Sequence, residues 1–201
     1  MNKSPDTRAS LLIRLRRHDD VDSWNEFVEI YQPLIFRMAE RCGLQEADAN
    51  EVVQEVLARV ARAVSNWKPS GNQGSFRNWL KCVTKNLVIQ FFRDRRRWPQ
   101  TSDQSDVRRL VEDQPNPPND DQWFDLELQR QYFAWAARRL KERFEPTTWA
   151  AFWRTSVLDE PIEQVAQQLG ISRGAVYIAR SRVMNKIRVA IEKKLQQDEN
   201  A

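Results

Sequence analysis

The chain has 201 residues, 41% hydrophobic and 30% charged, with a formal net charge of +4. That size suits one or two small domains, and a mild basic excess is compatible with a polyanionic partner. Five glycines among many Leu, Val, Ala, Arg and Gln residues weigh against turn-rich β structure and for helices. Cys42 and Cys82 lie far apart and His18 is the single histidine, so no zinc site is expected and both thiols read as reduced. His18, between Arg17 and Asp19, reads as a surface residue. The opening MNKSPDTRAS lacks the apolar run of a signal peptide and no stretch approaches membrane-spanning length, so the protein reads as cytoplasmic.

In chain order, Leu11, Leu12 and Leu15 make a short amphipathic turn. Trp24, Phe27, Val28, Tyr31, Leu34, Ile35, Met38 and Cys42 then keep helical period up to Gly43. Ser23 and Glu26 fit a capping box at the start, and Pro33 predicts a kink or break. A second helix, 46–64, buries Val52, Val53, Val56, Leu57, Val60, Ala61 and Val64 and turns Asp48, Glu51, Gln54 and Glu55 outward.

Residues 66–74, NWKPSGNQG, form a loop by composition. After a cap at Ser75, a long helix buries Phe76, Trp79, Leu80, Val83, Leu87 and Phe91. Between Phe76 and Trp98 seven basic residues face one acid, Asp94, and aromatics alternate with cations. That mixture suits single-stranded nucleic acid, whose bases stack on rings while its phosphates meet charges. Core packing accounts equally for Trp79, which shares a face with Phe76, Leu80 and Val83.

Residues 99–127 hold four prolines and eight acids against Arg108 and Arg109, the composition of a flexible acidic linker. From Asp121 onward Trp123, Phe124, Leu128, Tyr132, Trp135, Ala136, Leu140 and Phe144 form a further amphipathic helix, ended at Glu145-Pro146. Trp149, Phe152, Trp153 and Val157 open another. Then Ile162, Val165, Ala166 and Leu169 line one face of a short helix with Pro161 in its first turn, and Gly170 ends it. Ser172 caps a last helix whose buried face is Val176, Ala179, Val183 and Ile187. Between Ile171 and Leu195 seven basic residues face Glu192 alone. Turn, period and charge agree on a DNA-binding helix-turn-helix. The predicted fold is all-α: an N-terminal helical domain at 8–98, the linker, and a helix-turn-helix domain at 128–195.

Two blocks resemble the bacterial RNA polymerase sigma factors of the two-domain, extracytoplasmic-function class. One is Asp48-Ala-Asn-Glu-Val-Val-Gln54-Glu55 with Phe76-Arg-Asn-Trp79-Leu80 and Asn86; the other is the 161–187 block. The wording ERFEPTTWAAFW before the second block fits a divergent subgroup. The resemblance implies that Asp48, Glu51, Gln54 and Glu55 dock on the clamp helices of the polymerase largest subunit. It implies that the 66–75 loop with Asn72, and Phe76, Trp79, Lys81, Lys85, Asn86 and Arg93, capture the −10 element as single strand. Ser172, Arg173, Tyr177, Arg180, Ser181, Arg182 and Lys186 would then meet the −35 element as duplex. Members often carry an acid where this chain has Gln90, and an apolar residue where it has Arg180. A monomer without cofactor or metal, off the membrane, is expected, and an anti-sigma partner stays open. The competing expectations are a free-standing helix-turn-helix regulator with an N-terminal sensing or dimerisation domain and, less well fitted, a helical enzyme on nucleic acid. The latter lacks a phosphate-cradling glycine loop and a carboxylate cluster beside a base.

Overall fold

The computed structural model describes residues 14–16, 20–65, 76–95 and 120–197. Among them every regular element is a helix: α1 (Val21–Arg41), α2 (Glu46–Val64), α3 (Phe76–Arg95), α4 (Asp120–Lys141), α5 (Pro146–Ser156), α6 (Ile162–Leu169) and α7 (Arg173–Gln197). They divide into two compact units, Met1–Gln131 with Asp198–Ala201, and Tyr132–Gln197. The first part of α4 therefore belongs to one unit and the rest to the other. The expected Ser75 cap, the 66–75 loop and the linker up to residue 119 lie outside the described residues.

In the first unit α1 packs on α2, α2 on α3, and α3 returns to α1. The apolar period of α1 buries Phe27, Ile30, Tyr31, Leu34, Ile35, Met38 and Ala39. Phe27 and Tyr31 stack with ring centroids 4.5 Å apart, and Phe76 of α3 meets both edge-on at 6.0 and 6.1 Å. Such aromatic contacts add roughly 0.5–1.5 kcal/mol each beyond the area they bury.

One local expectation for α1 is corrected and another is narrowed. The cap is Asp20, whose carboxylate accepts the Ser23 amide at 2.9 Å, and Ser23 itself is buried in the first turn. Of the kink or break expected at Pro33, the break does not occur, since the helix runs through it. Buried Tyr31, Leu34 and Ile35 on either side outweigh the missing hydrogen bond there. The linker expected to extend to 127 is helical from Asp120, in keeping with the apolar period expected from Asp121 onward.

In the second unit α5 packs on α6 and α7, and α6 on α7. Ala151, Ala166, Val176 and Ala179 form the small-residue core where these three helices meet, with Ile162, Leu169 and Ile171 against it. Gly170 takes φ +65° and its amide bonds back to α6, which stops that helix and redirects the chain. Pro161 stands at the N-cap of α6, one position before the first turn. Ser172 accepts the Ala175 amide at 3.1 Å, opening α7.

Candidate nucleic-acid and protein-docking surfaces

On α2 the valine stripe is buried as its period demands, and Glu51 and Gln54 are exposed on the other side. Glu55 is half-exposed and accepts Arg59 Nε at 3.0 Å and an Arg62 nitrogen at 3.3 Å. The Arg59 hydrogen bond holds the Glu55 carboxyl below the usual carboxylate range. Asp48 does not join this face, because it is only 7% exposed. It stands one turn before Val52, at the border of the buried stripe. The outward acidic face is therefore Glu51, Gln54 and Glu55.

On α3 the expected strand-binding residues separate by depth. Phe76 is core, locked against Phe27 and Tyr31, so its ring serves the scaffold. Trp79 is half-buried with its ring 5.5 Å from that of Phe76, while Asn86 is exposed and Lys85 and Arg93 are half-exposed. Lys81 forms an ion pair with Asp121 of α4, and Arg77, although buried, lies 3.4 Å from Asp125. Asn72 is outside the described residues.

On α7 the buried row Val176, Ala179, Val183 and Ile187 leaves the opposite face to solvent. Tyr177, at 54%, Ser181 and Arg182 are exposed there, and Arg173 and Lys186 are exposed on the flanks of the buried row. Arg173 also pairs with Glu163 of α6 at 2.8 Å, tying the two helices at their open ends. Arg180 turns the other way: its Nε donates to Ser156 Oγ on α5 at 3.1 Å. That bond explains how an arginine is accommodated near the buried row.

The sequence reading passed over three groups. Ile178, 54% exposed beside Tyr177, gives the α7 face an apolar contact point. Arg37 and Arg41 of α1 meet Glu127 and the Trp123 ring, and Asp121 and Asp125 sit on the cations of α3. The four-residue spacing of each pair was the available signal. No described helix is long and apolar enough to cross a membrane, and no cluster of three or more metal-ligating side chains occurs among the described residues.

Residues 27–97 match the family described as Sigma-70 region 2, a span that takes in most of α1, α2 and α3. The chain is also 34% identical over 95 residues to the ECF RNA polymerase sigma factor SigE of Mycolicibacterium smegmatis. That stretch is 47% of this chain and spans about a third, 35%, of the relative's length.

Proposed function

We propose that this chain is an extracytoplasmic-function sigma factor that binds core RNA polymerase and directs promoter-specific initiation, a reading supported by its sigma-70 region 2 match at residues 27–97. The observation that carries the reading is that family match over α1–α3, with an outward acidic face on α2 and a basic, aromatic α3 in the same unit. Glu51, Gln54 and Glu55 are the surface for the clamp helices of the polymerase largest subunit. Acids there are ill-suited to phosphates, and two glutamates one turn apart slightly disfavour the helix, so a basic protein partner is the use that fits them. Trp79, Lys81, Lys85, Asn86 and Arg93 serve the −10 strand through stacking and charge.

In the second unit α6, its glycine turn and α7 act as a helix-turn-helix on the −35 duplex. Arg173, Tyr177, Ser181, Arg182 and Lys186 face the major groove, and Ile178 is available to a thymine methyl. Run-off transcription with purified core polymerase on promoter templates tests the whole reading. Transcripts that require both this chain and core are expected. Specific operator binding by the chain alone, with no transcripts, would favour a free-standing regulator instead.

A further inference from the structure

The first half of α4 meets α1 and α3 through four side-chain contacts. Asp121 and Asp125, one turn apart, pair with Lys81 and Arg77, one turn apart on α3. Trp123 and Glu127, again one turn apart, meet Arg41 and Arg37 of α1: the Arg41 guanidinium carbon is 4.8 Å from the Trp123 ring centre, and Arg37 Nε is 3.2 Å from Glu127. Numbers rise along α1 and α3 as they fall along α4, so the segment runs antiparallel to both. The two contact rows sit roughly 160° apart around α4, and buried Phe124 and Leu128 lie between them. Four cations at a pitch of about 6 Å along two neighbouring helices make a ladder suited to a repeating polyanion.

We propose that Arg37, Arg41, Arg77 and Lys81 form a phosphate-binding surface for a single nucleic-acid strand, and that residues 120–131 are a removable acidic occupant of it. This rests on the reading of α3 as a strand-binding helix. In two of the contacts one partner lies in solvent, Asp121 at 84% and Arg37 at 59% exposed, while Lys81 and Glu127 are covered, so water and salt reach each pair from one side. The burial of Phe124 and Leu128 needs an apolar seat on α1 and α3 and does not itself call for acids at 121 and 125. What they do accomplish is neutralisation of the cations that a strand would seek. Incoming phosphates exchange one set of anions for another, and the acids return when the strand leaves.

The test is fluorescence-anisotropy binding of the full chain to a labelled oligothymidine. Asp121→Asn with Asp125→Asn should raise affinity about tenfold, and Arg37→Gln with Arg41→Gln in that background should abolish the gain. Asp121→Lys, at a site too exposed to threaten folding, should tighten binding in the same direction. Circular dichroism checks that each variant keeps its helices. Unchanged or weaker binding in both acid variants, with wild type binding measurably, overturns the acidic cover and leaves strand capture intact. Absence of binding by every form, with core polymerase supplied as well, overturns strand capture and the proposal together.

Discussion

Helices α3 and α7 both present cations, yet Arg77 and Lys81 of α3 meet carboxylates while Arg182, Lys186 and Arg188 of α7 stand in solvent. A count of basic residues therefore measures how strongly a surface could attract a polyanion, and says nothing of whether that surface is already occupied. The two units also solve packing differently. The first is filled by Phe27, Tyr31 and Phe76, whereas α5, α6 and α7 meet over alanines and a valine, close enough for a tight turn.

The coarsest way to break the comparison is to remove one scaffold and keep the other. Phe27→Ala should cost about 3–5 kcal/mol in the first unit. Urea unfolding should show that loss, and binding of a −35 duplex through α7 should persist. Next, Glu51→Lys with Glu55→Lys should lower affinity for core polymerase at least tenfold, about 1.4 kcal/mol, with duplex binding unchanged. Competition for core against the wild-type chain measures it, and an undiminished affinity would sink the docking face.

A smaller effect is expected at the start of α1. Asp20→Ala should cost about 1 kcal/mol at neutral pH. The Ser23 side chain beside it and the hydrogen bond from the Ser23 amide hold the Asp20 carboxyl below its ordinary range. A lowered carboxyl pKa stabilises the fold above the unfolded value and ceases to do so as pH falls through the folded one. The variant and wild type should therefore converge below about pH 4, as read from urea midpoints across a pH series. The finest comparison is between two lysines. Lys186→Ala should reduce the salt slope of duplex binding by about 1, the signature of one lost phosphate contact. Lys81→Ala should change the slope of strand binding much less, because an ion pair to Asp121 already stands in for the phosphate.

Much of this architecture was readable from residue order. The α2 boundaries, the buried row of α7, the Gly170 turn and the Ser172 cap follow from period and local backbone chemistry, and the helices carry them as expected. The misses share a cause. Asp48 and Ser23 each have a strong local preference, and in each case a neighbour settled the outcome: the valine stripe took in Asp48 and Asp20 displaced Ser23 as cap, just as buried flanks kept α1 from breaking at Pro33. The pairing of Asp121 and Asp125 with α3 was hidden for another reason. Partners forty and forty-eight residues away cannot be matched to one another from the four-residue spacing within each segment, and acids beside prolines resemble a solvated tether.

Helix α6 has eight residues, below the length of about 12–15 at which an isolated helix becomes even marginal in water. Its order is borrowed from both ends. Glu160 and Gln168 bond to Arg154 of α5, Arg173 of α7 reaches Glu163, and Val165 and Ala166 complete the small-residue core. Such a helix has no opening of its own to undergo. The amides of Val165 and Ala166 should then open in one cooperative unit with those of α5 and α7, an expectation that hydrogen exchange checks by whether the three helices lose their protons together.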